Sequence, residues 1–363
     1  MKKYTVIICS LFLGTLMLTS SSCRKEKSIT VIQKGALTVS PVDFNEFVGL
    51  VPLGAMNPPS HTFPTDHMYF YYKNVGIPHN IKSPGNMSIT AISRNRRDVN
   101  KPGETTDYTI EFGDTDEILF YFYHVSTLSK KLLDATDNFS GTNFESYKVN
   151  GIEYEKCRKT VVLDVVAGEV IGTGNTVPNQ FALDMGMRVN GVAVCPLDYF
   201  EPTIKKELEN RLSNFSGTKK KVGLPLCGEV NQNLPGTAQG NWLKNGSPQF
   251  PEDPHIALVK DEIDPSVPIF SIGNGLPGQA SGTYTFAKLG FGFINRPFNE
   301  VKADDKVYCY NIKKVNGGML IPNASIILKM ENESLLSVER RNCDCAVQPY
   351  VFAGNKVGFT KDK

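Results

Sequence analysis

The stretch 61–72 places His61, Asp66 and His67 within seven residues of one another, followed by Tyr69 and Tyr71, and it holds two of the chain's five histidines. Imidazole and carboxylate together suit metal ligation or proton transfer near neutral pH. His61, Asp66 and His67 are therefore candidate metal ligands, and His67 with His124 are candidate catalytic groups. A catalytic zinc needs about three protein ligands and one open position. Two other uses of the same residues stand beside zinc. One is a metal-free binding cleft lined by these side chains with Tyr69 and Tyr71. The other is structural, with Asp66 capping a turn and the histidines hydrogen-bonding inside a barrel.

The elements around these residues read as strands. Met68 to Tyr72 is aromatic and bounded by turn residues, so its alternate side chains face opposite ways. Further strands are expected over 87–93, 107–112, 118–125 and 160–166, separated by Gly, Pro, Asn and Asp, with no long helical period between them. A glycine-rich run at 168–174 supplies the tight turns of a compact all-β barrel. It lacks the lysine of a P-loop, and no helix pattern follows it.

The order of these features resembles the lysostaphin/LytM-type zinc endopeptidases that cut peptidoglycan cross-bridges. The resemblance covers about 48–190, carried by His67 before a strand, Ile81-Lys82-Ser83-Pro84-Gly85, Tyr123-His124-Val125-Ser126 and the glycine run. It implies a barrel-sandwich hybrid fold and a zinc held by a His, an Asp four residues later and the second His of a His-x-His. His67 matches the first ligand, but the position four later is Tyr71, and 177–186 contains no histidine. The resemblance thus implies a pseudo-enzyme on a peptidase scaffold, with zinc-dependent peptidoglycan hydrolysis from a rearranged site as the alternative.

Beyond this domain, 197–215 reads as an amphipathic helix, with Phe200, Ile204, Leu208, Leu212 and Phe215 on one face and Pro202 in the first turn. The remainder reads as a second β-rich domain. Gln239 and Trp242 are candidate binding residues there, because an aromatic face beside amides suits neutral polar ligands. A core tryptophan anchoring a loop is the structural alternative. The boundaries expected are a signal peptide at 1–22, a tether at 23–44, the peptidase-like β domain at 45–195, the helical connector at 196–218 and the second β domain at 219–363.

The N-terminus speaks to location. Lys2 and Lys3, the apolar run 6–18 and the small residues 19–22 form a secretory signal too short to span a bilayer. Cys23 after that run resembles the lipobox cysteine of bacterial lipoproteins, although Ser20 stands where leucine is usual, and it is the expected lipidation site. Removing 1–22 takes away two lysines and no acid, bringing the formal charge of +2 to zero. Nothing in that balance points to nucleic acid. Six cysteines follow Cys23, and in an oxidising envelope they can pair in fifteen ways. Cys343 and Cys345 are too close for a usual structural zinc site. The chain is thus expected to be a mostly β, lipid-anchored envelope protein, at the outer membrane or cell surface. Its partners would be a cell-wall glycan or peptide, or an envelope protein, with a purely structural envelope component as a third possibility.

Overall fold

The computed structural model describes residues 32–114, 117–149, 151–315, 321 and 323–362. The signal segment and Cys23 lie outside the described residues. The chain is mostly β, with 42% strand and 8% helix in several antiparallel sheets, one of them a curled half-barrel. No described helix is long and apolar enough to cross a membrane.

Among the described residues, twelve strands precede residue 195: β1 (Phe47–Val51), β2 (His67–Tyr72), β3 (His79–Lys82), β4 (Met87–Arg97), β5 (Thr105–Asp114), β6 (Ile118–Val125), β7 (Thr127–Leu128), β8 (Glu145–Val149), β9 (Ile152–Val165), β10 (Val170–Gly174), β11 (Ala182–Val189) and β12 (Val192–Ala193). The larger sheet runs β1-β2-β11-β6-β5-β4-β9-β8, with β12 hairpinned onto β11, and β3-β10-β7 form a small second sheet. Strand β11 is the latest long strand of this sheet in chain order, yet it lies between β2 and β6.

Period-two alternation explains which way these strands face. Met68, Phe70 and Tyr72 of β2, Phe120 and Phe122 of β6, and Leu183, Met185 and Met187 of β11 all enter one apolar core. Each large apolar side chain buried this way contributes roughly 1.5–3 kcal/mol. His67, Tyr69 and Tyr71, Tyr121 and Tyr123, and Asp184, Gly186 and Arg188 alternate with them and so take the opposite face.

The second large sheet runs, in spatial order, Tyr308–Tyr310, Ser325–Asn332, Leu335–Arg341, Val357–Lys361, Gly240–Lys244, Ile256–Lys260, Pro268–Ile272, Gly282–Thr285 and Lys313–Lys314. A hairpin around Glu331 to Ser334 joins the second and third of these. Phe270, Phe286, Phe298 and Tyr310 form an aromatic cluster in its core, with Phe270 and Phe298 edge to face at 4.7 Å. The two sheets meet where Phe63 stacks on His255, with ring centroids 5.4 Å apart, and packs on Ala257, Val259 and Ile269.

The connector departs from the expected long helix. A 3-10 turn spans Pro196–Tyr199 and the α-helix only Pro202–Glu209, because Phe200 and Glu201 between them are extended. Glu201 caps the helix by accepting from the Ile204 amide, and Pro202 takes the first helical position. Phe200, Leu208 and Leu212 still reach the core of the first sheet. The disulfide Cys195–Cys227 fastens the chain after the helix back onto this region, and Cys309–Cys345 does the same in the second sheet. Gly228 follows with φ +83°, where a Cβ would stand 1.9 Å from the Leu53 carbonyl oxygen. Cys157 and Cys343 are free.

Candidate functional site

Strands β2, β11 and β6 lie side by side, so their polar faces put His67, Asp184 and Tyr123 next to one another. Asp184 pairs with Tyr69 on one side and Tyr123 on the other. Its carboxylate Oδ2 is 3.2 Å from His67 Nε2 and 3.5 Å from His124 Nε2. The outer nitrogens face carboxylates as well: His67 Nδ1 is 3.0 Å from Asp66 Oδ1, and His124 Nδ1 is 2.8 Å from Asp107 Oδ2. Two imidazoles and three carboxylates therefore alternate across the sheet.

His124 reaches this row through an irregularity. By alternation from Tyr121 and Tyr123 it belongs on the core face, but β6 bulges against β5 between Tyr108 and Ile110, and His124 has φ +63°. A β-bulge re-aims a side chain, and the left-handed region is unfavourable for histidine. The chain accepts that strain at a residue whose ring lies on Asp184 and Asp107, the kind of place where backbone strain collects.

The ends of the row are tied down. Arg188 donates to Asp66 Oδ2 through Nε at 3.0 Å and also through Nη2. Asn95 donates to Asp107 Oδ1 at 2.8 Å, and Gln180 Nε2 donates to Asp107 Oδ2. Tyr121 donates from its hydroxyl to the Asp66 carbonyl at 3.3 Å, and its ring lies where a Cβ on Gly186 would be 2.1 Å away. Glycine at 186 is what lets that ring lie flat on the sheet.

Charge settles the protonation states. Burial pulls the His67 imidazole down, but the charge of Asp184 beside it and the bond to Asp66 outweigh it and raise the group to about 9. His124 is likewise lowered by burial and raised further by Asp184 and Asp107, again to about 9. His61 has no such compensation: burial and the neighbouring His67 lower it to about 4, so it is neutral. Burial raises Asp66, yet the bonds from His67 and Arg188 hold it well below the usual carboxylate range. Tyr71 is pushed up to about 12 by burial and by Asp184.

Above the row lies a cleft of about 730 Å³ between the two large sheets, lined on one side by His61, Tyr69, Tyr71, Asp107, His124 and Asp184 and on the other by Asp261, Glu262 and Thr283. Tyr71 and Phe215 form an aromatic wall with ring centroids 5.9 Å apart, and Phe215 is 52% exposed. Burial and Asp261 raise Glu262 to about 7.

The sequence candidates separate cleanly on this geometry. His61, Asp66, His67, Tyr69, Tyr71 and His124 are brought together. Gln239 and Trp242 are not: Trp242 is 0% exposed in the second core, its indole N–H donates to the Ala238 carbonyl at 2.8 Å, and it does not line the cleft. Gln239 is buried and donates to the Gln232 carbonyl. A side chain so enclosed offers no face to a ligand.

The residues that the sequence reading passed over are Asp107, Gln180, Asp184 and Arg188. Asp184 carried one signal, an acid alternating with Leu183, Met185 and Met187 in a strand. Its pairing with both histidine-bearing strands has no local signature.

Zinc, the alternative that the resemblance leaves open, needs about three protein ligands. Tyr71 occupies the position of the family's aspartate, and the nitrogens of His67 and His124 all face carboxylates. Among the described residues, no group of three or more His, Cys, Asp or Glu is arranged to hold a metal ion. The ligand pattern that the resemblance implies, an Asp four residues after His67 and a His-x-His, is not in the sequence. No family model matches the chain, and no curated protein matches it in sequence.

Proposed function

We propose that this chain is an exported, lipid-anchored protein of the bacterial cell envelope whose first domain, a peptidase-like barrel-sandwich scaffold, binds a cell-wall glycan or peptide instead of cutting it. The observation that carries this reading is the bracketing of both imidazoles: His67 and His124 each face a carboxylate at both ring nitrogens. A histidine that ligates zinc turns a free lone pair to the metal. Here the inner nitrogens lie 3.2 and 3.5 Å from Asp184 Oδ2. What remains is a rigid, charge-compensated floor beneath an aromatic wall, a surface suited to orienting a polar ligand.

Location draws on separate support. Two disulfides belong in an oxidising compartment. Cys23 and the segment before it supply the signal and the anchor.

The test uses protein purified without a histidine tag, its metal content measured and its binding to soluble peptidoglycan fragments followed by calorimetry. The expected result is metal-free protein that binds fragments and releases no cleavage products. Stoichiometric zinc that disappears in His67→Ala, together with cleavage, would overturn the reading in favour of a hydrolase. Neither binding nor cleavage would leave a structural envelope component.

A further inference from the structure

We infer that the cleft seats amide N–H groups of its ligand on Asp184 and Gln180, a conclusion that rests on the binding reading above and names the group recognised. Asp184 is 2% exposed and lines the cleft. Only its Oδ2 is engaged by the two imidazoles. Its Oδ1 is buried and has no hydrogen-bond partner among the described residues. A carboxylate oxygen removed from water without a donor carries an uncompensated desolvation cost, and binding a donor there relieves it.

A second orphan lies close by in the chain. Gln180 also lines the cleft, and its Nε2 is committed to Asp107 while its buried Oε1 has no partner among the described residues. Both orphans are acceptors, so the ligand must bring donors. Its charge is restricted too. A carboxylate or phosphate has no hydrogen to donate and would leave both orphan oxygens unsatisfied, with Asp261 and Glu262 on the other wall. An ammonium would crowd His67 and His124, which already balance Asp184. An uncharged N–H satisfies both limits. The faces of Tyr71 and Phe215 then cover the flat part of the ligand, a sugar ring or a peptide plane.

An acetamido group on an amino sugar and a backbone amide in a peptide share this chemistry, and three probes separate them. These are the trisaccharide of N-acetylglucosamine, the corresponding glucose trisaccharide and a capped alanine tetrapeptide, each titrated into wild type, Asp184→Asn and Gln180→Ala. The conservative Asp184→Asn keeps the shape while replacing the acceptor, and Gln180→Ala is an independent change should the first variant fail to fold.

Tighter binding of the acetamido sugar than of the glucose sugar, weakened at least tenfold in Asp184→Asn and severalfold in Gln180→Ala, supports the inference with a sugar as source. The same losses with the tetrapeptide support it with a peptide as source. Wild-type binding of a probe or of whole peptidoglycan fragments that neither variant weakens overturns the inference and leaves the binding function standing. No binding by any probe or fragment overturns both.

Discussion

The two large sheets share an apolar interior and differ in what the first carries on its other face. Around Phe270, Trp242 and Tyr310 the second sheet is apolar and aromatic, and its one indole N–H is satisfied by a backbone carbonyl. The first sheet buries a comparable apolar core on one face but carries a row of five ionisable groups on the other, from Asp66 through His67, Asp184 and His124 to Asp107. Apolar packing needs only volume, whereas a buried charge row needs every member in place. Residue type alone does not draw that contrast: Trp242, a candidate binding residue with a core role as the alternative, lies in the core, and Asp184, not among the candidates, lies at the centre of the row.

Substitutions should separate the two regions by what they cost. The largest effect is expected for Trp242→Ala, a loss of about 3–5 kcal/mol from emptying a packed site. Urea unfolding would measure it, and ligand binding in native buffer should survive. His67→Ala should cost about 3 kcal/mol, because it leaves Asp184 with one partner and Asp66 with only Arg188. Here binding should fall along with stability. Equal loss of binding from Trp242→Ala would show that the two halves do not divide the work in this way.

Acidity probes the same contrast more gently. Raised folded-state values near 9 for His67 and His124, against about 6.5 in the unfolded chain, mean that the charged forms stabilise the fold. That contribution is complete below about pH 6.5 and disappears as the pH climbs through about 9. Thermal melts should therefore show Tm falling across this window. The side chain of His67 is 7% exposed and that of His124 39%, so His67 carries most of the effect. His67→Phe should flatten the slope.

The smallest stability change is expected at the cleft rim. Phe215→Ala removes a half-exposed ring and should shift unfolding by no more than about 0.5 kcal/mol. Its effect on fragment affinity should nonetheless be tenfold or more, read by calorimetry. A rim that matters for binding but not for folding is what a ligand site requires.

The strands were legible from residue type. The runs at 68–72, 87–93 and 118–125 lie inside the observed strands, because alternation and turn punctuation are local properties. The long helix was less so: the spacing of Phe200, Leu208 and Leu212 marks burial correctly, but an extended pair at Phe200 and Glu201 serves burial as well as a helix would. Of the site, the histidines and tyrosines were visible as a cluster in the chain. Asp184 and Asp107 were not, because they join only through strand order and register, and the turn of His124 onto the polar face depends on a bulge that its own neighbours do not announce.

Strand order also sets the timetable of assembly. The strand that fills the gap between β2 and β6 is made more than a hundred residues after β2, so the sheet cannot close until that distant segment returns. Long-range closures of this kind slow folding. Asp184 arrives on the returning strand, and until it does, His67 and His124 have no shared counter-charge. Completion of the sheet and neutralisation of its polar face are therefore one event, and a chain stalled before residue 184 would present an open sheet edge and an unbalanced pair of histidines together.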